Sequence, residues 1–191
     1  MSDNEVWLVR HGETEWTVSR QHTGVTDIPL TPRGEERARA LGAILSAHEF
    51  AAAFTSPLQR ARRTAELAGF ETAIVDARLV EVNYGDYEGR TTAEIHEERP
   101  DWSLWRDGSP GGESMEQVGS RADAVIAEIT AVDGDVLLFG HGHFSRVLGA
   151  RLLGLPPSKG GLLILGPAAI SVIGSEHGER AIKHWNWQAQ I

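Results

Sequence analysis

Short apolar runs alternate with segments of helical periodicity along most of this chain. The apolar runs that predict β-strands are residues 6–9, 50–55, 74–75, 135–140, 170–173 and 181–187. Between the first four runs, apolar residues recur at spacings of three and four, which predicts helices. Because helices alternate with apolar strands, the pattern predicts an α/β fold with a mostly parallel sheet flanked by helices.

Hydroxyl residues mark where three of the helices are expected to begin. Thr31 stands directly before Pro32, which is the order of a helix N-cap followed by proline at the first helical position. Ser56 and Ser114 each have glutamine three residues later, the spacing of a capping box. Residues 17–30 are polar and rich in turn formers, and they are expected to form a loop over the carboxyl end of the sheet.

Composition narrows the class of protein. The 191 residues are long enough for a single domain, 1–191, and no run approaches the roughly 20 apolar residues of a membrane span. The acidic N-terminus lacks the basic and apolar parts of a signal peptide, so a cytoplasmic location is expected. The net charge of −9 argues against nucleic acid or a membrane as a partner. The absence of cysteine excludes disulfides and thiolate catalysis.

Polar residues follow directly after two of the predicted strands. Arg10 and His11 follow the first strand, and His141 follows the strand that ends at Gly140. Because the carboxyl ends of parallel strands meet at one edge of a sheet, we expect these three side chains to lie close together. Arginine at such an edge is suited to an anionic ligand, since its fork matches phosphate oxygens bidentately.

Two more polar residues are expected at the same edge. Arg60 falls in the first turn of a predicted helix, where the helix dipole also favours an anion, and Glu81 follows the third predicted strand. A histidine can act as a nucleophile, and a carboxylic acid can protonate a leaving oxygen. Two arginines, two histidines and one carboxylate together indicate phosphate-ester chemistry.

The motifs around these residues occur in a fixed order over nearly the whole chain. They are LVRHGET at 8–14, TG at 23–24 with DIPLT at 27–31, TSP at 55–57 with RARRT at 60–64, Glu81 with YGDYEG at 84–89, GGES at 111–114 and GHGH at 140–143. This set resembles the signature of the histidine phosphatase superfamily, the phosphoglycerate-mutase-like proteins. With WRDG at 105–108, it is most similar to the branch of sedoheptulose-bisphosphatase-like and small bacterial acid phosphatases.

The resemblance implies a three-layer α/β/α sandwich and a phosphatase that hydrolyses phosphomonoesters of small metabolites, such as sugar phosphates, with no cofactor and no metal. It implies that His11 attacks phosphorus to form a phosphohistidine and that Glu81 protonates the leaving alkoxide. Arg10, Arg60 and His141 are then expected to stabilise the transition state. The residues expected to contact the substrate are Arg10, Arg60, Thr17, Thr23, Gly24, His141 and Gly142.

Two features are particular to this chain. Thr17 stands where the family usually has an asparagine that helps to hold the phosphate, although a hydroxyl can still donate one hydrogen bond. Residues 91–113 form a short acidic segment that is expected to cap the pocket and to determine specificity. The family's mutases carry a longer, more basic insertion there, so the short segment favours hydrolysis.

Several alternatives stay open at this point. The chain could act as a phosphoglycerate mutase or as a catalytically weak regulator that binds phosphate. His11, Glu81, His141 and His143 could instead hold a metal ion in a phosphoesterase, although arginines occupy the positions where such sites usually enlist Asp or Asn. The Trp-rich segment 185–187 could form a homodimer contact or an edge strand packed inward.

Overall fold

The computed structural model describes residues 4–189. Its six strands are β1 Val6–Arg10, β2 Ala52–Thr55, β3 Ile74–Val75, β4 Val136–Gly140, β5 Ala169–Glu176 and β6 Glu179–Gln188. They form one sheet in the order β3-β2-β4-β1-β5-β6. The first four strands run parallel, and β5 and β6 run antiparallel at one edge. The predicted mostly parallel sheet is therefore confirmed.

The α-helices are α1 Glu15–Ser19, α2 Pro32–Leu45, α3 Gln59–Leu67, α4 Thr92–Glu98, α5 Leu104–Asp107, α6 Met115–Ile129 and α7 Gly142–Leu152. Short 3₁₀ helices lie at 77–79, 85–87 and 157–162. Thr31 and Ser114 cap α2 and α6 as predicted. Among the described residues, no helix is both long and apolar enough to cross a bilayer.

The predicted capping box at Ser56 is wrong. α3 begins three residues later, at Gln59, and its N-cap residue, Leu58, makes no capping bond through its side chain. The Ser56 hydroxyl instead lies 2.8 Å from Nε2 of His141. The expected loop at 17–30 also differs at its start, because Thr14 and Thr17 form a capping box for the unpredicted helix α1.

Helices cover both faces of the sheet. On one face, α2 and α3 pack against a cluster that includes Leu137 and Phe139 of β4. On the other face, α6 and α7 pack against a cluster that includes Val136 and Leu138 of the same strand. The strand is buried throughout because its alternate side chains point to opposite faces. The three-layer α/β/α sandwich is confirmed.

The pairing of β1 with β4 determines where the polar residues lie. Arg10 is in register with Gly140, and the His11 N–H donates to the Gly140 carbonyl at 2.9 Å. The chain after β1 then approaches the start of α2 so closely that a Cβ at Gly12 would lie 2.5 Å from the Gly34 carbonyl oxygen. Only glycine fits there, and the turn carries His11 over the carboxyl end of the sheet.

The Trp-rich end of β6 places one tryptophan against the body of the domain and leaves the other exposed, while the homodimer contact stays a prediction. The Trp185 ring packs against α7 at Gly149, and its indole N–H donates to the Ile164 carbonyl at 2.7 Å. Trp187 is 43% exposed. The strict alternation predicted for this strand is broken, since Asn186 has a φ of 57° and the β5–β6 register shifts beside it. One tryptophan therefore faces inward and the other outward.

Candidate active site

His11 is buried at the end of β1 as a neutral ring with one free nitrogen. Its Nδ1 lies 2.7 Å from the Gly12 carbonyl oxygen. Because a carbonyl can only accept, Nδ1 carries the hydrogen and Nε2 carries the lone pair. Burial and the charges of Arg10 and Arg60 hold the pKa of His11 well below its ordinary value. A neutral imidazole with an open Nε2 is suited to nucleophilic attack.

Both arginines are fixed by main-chain carbonyls. The two terminal nitrogens of Arg60 donate to the carbonyls of Thr23, Gly24 and Thr26 at 2.9–3.1 Å. Nη1 of Arg10 donates to the Leu165 carbonyl at 2.6 Å. Burial lowers the pKa of both guanidiniums, and the negative charge of Glu81 opposes that effect. Carbonyl partners orient these cations without neutralising them.

His141 completes a group of unpaired nitrogens. Its ring centroid lies 5.2 Å from that of His11, and burial is the largest cause that holds its pKa well below the ordinary value. Nδ1 of His141 and Nε of Arg10 and Arg60 are buried and have no partner among the described residues. Buried polar atoms are normally paired. A concentration of three unpaired nitrogens near His11 therefore indicates a site for an anion.

Glu81 lies at the positive end of α7. Its Oε1 accepts the N–H groups of Val82 at 2.9 Å and Phe144 at 2.7 Å, and its Oε2 accepts the N–H of His143 at 2.9 Å. Oε2 accepts a single N–H, so it has capacity for a proton. Glu81 lines the cavity together with His11.

The cavity has a volume of about 310 Å³. Its lining residues are Arg10, His11, Trp16, Thr17, Arg20, Gln21, His22, Thr23, Glu81, Tyr84, Thr92, Gly142, His143, Arg146 and Leu165. Arg60 and His141 are not among them; both are fully buried. Both still lie close to His11, since the His141 ring centroid is 5.2 Å from that of His11 and the charge of Arg60 acts on the His11 ring.

The segment 91–113 contributes less to the cavity than expected. In the part of the chain that the structure describes, Thr92 is its one lining residue. Trp102 is buried against Tyr87, with 5.1 Å between ring centroids, and Trp105 covers the 3₁₀ helix at 157–162. These aromatic side chains pack against the body of the domain, so most of the cavity wall comes from residues 16–23 and 142–146.

Thr17 and Thr23 both line the cavity, but their hydroxyl groups already have partners. The Thr17 hydroxyl donates to the Thr14 carbonyl at 2.8 Å and accepts the Thr14 N–H at 2.9 Å. The Thr23 hydroxyl donates to the Gln21 carbonyl at 3.1 Å. In this geometry Thr17 serves as part of the α1 cap, and its hydrogen is directed away from a ligand.

The two glycines predicted to contact the substrate have different surroundings. Gly142 lines the cavity, and a Cβ there would lie 3.1 Å from Cζ of Arg10. Gly24 does not line it; its N–H donates to Glu88 at 2.9 Å, and its carbonyl accepts from Arg60. Gly24 is therefore placed to act on the site through Arg60.

Sequence reasoning missed two supporting residues. Glu88 accepts the N–H groups of Gly24 and Thr26, and so it holds the loop whose carbonyls orient Arg60. Ser56, assigned to a helix cap, contacts His141 instead. Both residues lie in the motifs of the family resemblance, which was the one sequence signal for them. Their contacts join residues 62 to 85 positions apart, so no local spacing reveals them.

The geometry does not favour the metal-ligand alternative. Within residues 4–189, the group of three carboxylate or histidine ligands close enough to share one ion is Glu5, His48 and Asp135. Glu5 and Asp135 stand just before β1 and β4, at the opposite end of the sheet from His11. The histidines and the glutamate of the candidate active site do not form such a group.

Buried neutral histidines predict acid sensitivity of the fold. Burial lowers the pKa of His11, His22, His141 and His143, that of His22 to about 4. The unfolded chain, with ordinary histidines, then binds protons below pH 6.5 that the folded chain does not. We expect the free energy of unfolding to fall below pH 6.5, by up to about 1.4 kcal/mol per pH unit for each histidine.

Urea denaturation between pH 7 and pH 5 measures this dependence. His22→Phe should reduce the slope by about one proton, because its ring no longer titrates. Val25→Ala, an exposed position of the same loop with no titratable group, is the control and should leave the slope unchanged. An unaltered slope in His22→Phe would contradict the assignment of His22 as neutral in the folded state.

Several known proteins are similar to this chain in sequence and in fold. Residues 6–188 match the family model of the histidine phosphatase superfamily (branch 1). An acid phosphatase of Mycobacterium tuberculosis is 40% identical over 94% of this chain and 91% of that protein. Sedoheptulose 1,7-bisphosphatase of Saccharomyces cerevisiae is 38% identical over 80% of this chain and 68% of that protein. The solved structure of an open reading frame from Mycobacterium tuberculosis covers 98% of this chain and 100% of its own, with a TM-score of 0.95 and 38% identity. The chain therefore belongs to the histidine phosphatase superfamily (branch 1).

Proposed function

We propose that this enzyme hydrolyses phosphomonoesters of small metabolites, sugar phosphates among them, through a phosphohistidine on His11. The observation that carries the proposal is the neutral His11 ring, with unpaired nitrogens of Arg10, Arg60 and His141 around it. A phosphoryl group is a ligand whose oxygens could pair with all three nitrogens while its phosphorus faces Nε2.

In the first step, Nε2 of His11 attacks phosphorus and the ester P–O bond breaks. The leaving alkoxide takes a proton from Glu81, which becomes a carboxylate held by three N–H groups. Arg10 and Arg60 stabilise the negative charge on the non-bridging oxygens. The enzyme at this point carries the phosphoryl group on His11.

His141 assists as a neutral donor. In the tautomer that we propose, the Ser56 hydroxyl accepts the Leu58 N–H at 3.3 Å and donates its own hydrogen to Nε2 of His141. His141 then carries its hydrogen on Nδ1, the atom without a protein partner. This arrangement supplies a hydrogen-bond donor to the phosphoryl oxygens without adding a third positive charge.

In the second step, water attacks phosphorus and the bond to Nε2 breaks. The Glu81 carboxylate takes a proton from that water, so the acid form returns together with inorganic phosphate and neutral His11. A cavity of about 310 Å³ lies at the small end of ligand pockets, which supports a small metabolite as the substrate. The sedoheptulose bisphosphatase relative supports a sugar phosphate. A cytoplasmic location and a homodimer remain predictions from the sequence.

Trapping of the phosphoenzyme tests the proposal. A panel of sugar phosphates is first ranked by phosphate release in excess chelator, and the best ester is prepared with a labelled phosphoryl group. We expect label on the protein after an alkaline quench and its loss after an acid quench, because a nitrogen–phosphorus bond is labile in acid. Peptide mapping should place the label on His11.

Two results would contradict this prediction. Release that stops when chelator is added would favour metal-dependent hydrolysis. Steady release with no label on the protein in any quench would indicate direct attack by water.

A further inference from the structure

The turn that carries His11 is fixed by hydrogen bonds from several elements. The His11 N–H donates to the Gly140 carbonyl at 2.9 Å, and the His11 carbonyl accepts the Ala168 N–H at 3.0 Å. The Gly12 N–H donates to the hydroxyl oxygen of Thr64 at 3.0 Å. The first two partners are main-chain groups of β4 and of the segment before β5, whereas the third is a side chain of α3. Thr64 has no role so far in the proposed reaction.

The Thr64 hydroxyl has one hydrogen-bonding arrangement. It donates its hydrogen to the Arg60 carbonyl at 2.7 Å, because a carbonyl can only accept. Its oxygen therefore accepts the Gly12 N–H. Thr64 is fully buried, and a buried N–H without a partner is unfavourable. A hydroxyl can bind both groups at once, and an aliphatic side chain of the same shape can bind neither.

The bond from Thr64 constrains the ring of His11 through the backbone. The peptide unit that joins His11 to Gly12 is held at both ends, its oxygen by Ala168 and its hydrogen by Thr64. The next carbonyl, that of Gly12, lies 2.7 Å from Nδ1 of His11 and accepts its hydrogen. Because this carbonyl orients the ring, a rotation of the backbone at Gly12 would also move Nε2.

Thr64 also connects His11 to an arginine of the proposed anion site. It follows Arg60 by four residues on α3, so the two side chains lie on the same face of the helix. Both residues are fully buried, and the charge of Arg60 acts on the His11 ring. The hydroxyl thus joins the turn that carries the nucleophile to the helix that carries part of the anion site.

We propose that Thr64 is a positioning residue for His11: its hydroxyl holds the Gly12 peptide so that Nε2 stays in line with the phosphorus of an ester bound by Arg60. The inference rests on the proposed function, since it assigns a further residue to the same reaction. Attack depends on the distance and angle between Nε2 and phosphorus, and a misplacement of about 1 Å can cost about 10²-fold in rate. The anion site should change less, because carbonyls of the loop 23–26 orient the Arg60 guanidinium.

Two comparisons at position 64 isolate the hydroxyl. Threonine and valine have nearly the same shape, so the wild type is compared with Thr64→Val. Serine and alanine differ by the hydroxyl oxygen alone, so Thr64→Ser is compared with Thr64→Ala. The second comparison keeps the test valid if Thr64→Val folds poorly.

Thr130→Val is the matched control. The Thr130 hydroxyl donates to the carbonyl four residues earlier at 2.7 Å, as that of Thr64 does in α3. Thr130 ends α6 beside Ile129, whose carbonyl accepts from Asn4, ahead of β1. This threonine therefore lies near the amino end of β1, whereas His11 follows the carboxyl end of that strand.

Single-turnover kinetics separate the position of His11 from binding. With enzyme in excess over p-nitrophenyl phosphate, release of p-nitrophenolate reports phosphoryl transfer to His11 and not the later hydrolysis. We expect the saturating rate constant to be about 10–10²-fold lower in Thr64→Val than in the wild type, and in Thr64→Ala than in Thr64→Ser. The enzyme concentration at half-saturation should change less than about 3-fold, and Thr130→Val should match the wild type.

Three results would overturn the inference. The first is a saturating rate constant within about 3-fold in both comparisons. The second is an equal loss in Thr64→Ser and Thr64→Ala, which would attribute the effect to the methyl group. The third is a change confined to the enzyme concentration at half-saturation, which would indicate a weaker anion site or a smaller folded fraction. Release of p-nitrophenolate by the wild type with no label on His11 would instead count against the proposed function itself.

Discussion

Replacing His11 by alanine is expected to abolish phosphate release from every ester, with a loss of at least about 10⁴-fold in kcat/KM. The ring supplies Nε2, a neutral nitrogen whose lone pair is free, in the group that also holds the unpaired nitrogens of Arg10, Arg60 and His141. Alanine removes this nucleophile but leaves the carbonyls that orient both arginines in place. The variant should therefore retain the anion site while losing the reaction.

The measurement is phosphate release with excess chelator, paired with the binding of inorganic phosphate. His177→Ala, which removes an exposed histidine from the β5–β6 turn, is the control and should keep wild-type turnover. We expect His11→Ala to bind phosphate and to form no labelled protein. Turnover within about 10-fold of the wild type would contradict nucleophilic catalysis by His11.

The parts of the fold predicted from the sequence are those determined locally. β4 is apolar throughout because both faces of the sheet are covered, so its position follows from composition alone. Thr31 and Ser114 cap their helices through bonds to residues three positions away, and such short contacts are visible as spacing. The edge of the sheet that carries His11 follows from the same strand pattern.

The remaining parts depend on contacts between distant segments. The Ser56–Gln59 spacing satisfies a capping rule, yet the Ser56 hydroxyl contacts a ring 85 positions away. The Gln59 N–H donates to Asp27 instead, at 2.8 Å. Glu88 stabilises a loop that precedes it by more than 60 residues. The tertiary structure determines which of several equally spaced polar residues is used, and hydrophobic periodicity carries no information about that choice.

An acidic chain can bind a strongly anionic ligand when a few of its arginines lie together at one site. Main-chain carbonyls bind Arg10, Arg60 and Arg146 and leave their charge intact. The nearby histidines stay neutral, so they add hydrogen-bonding capacity without mutual repulsion. This local arrangement explains how a protein of net charge −9 presents a cationic cavity.

Replacing Glu81 by glutamine is expected to slow turnover of alkyl phosphates about 10²–10⁴-fold, because an alkoxide leaves poorly without a proton. p-Nitrophenyl phosphate distinguishes the two chemical steps, since p-nitrophenolate leaves without protonation whereas the attacking water still needs a base. We therefore expect a burst of p-nitrophenolate equal to the enzyme concentration, followed by slow turnover. The burst reports a phosphoenzyme that cannot be hydrolysed.

The glutamine variant also perturbs structure, and the control must account for it. An amide nitrogen at the position of Oε2 cannot accept the His143 N–H, so some stability is lost at the start of α7. Glu113→Gln is the matched control, because this carboxylate also accepts a main-chain N–H, from Asn83 at 2.9 Å, and does not line the cavity. It should lose stability without producing a burst. If Glu81→Gln slows both esters equally and shows no burst, the carboxylate supports the site through α7 and does not transfer the proton.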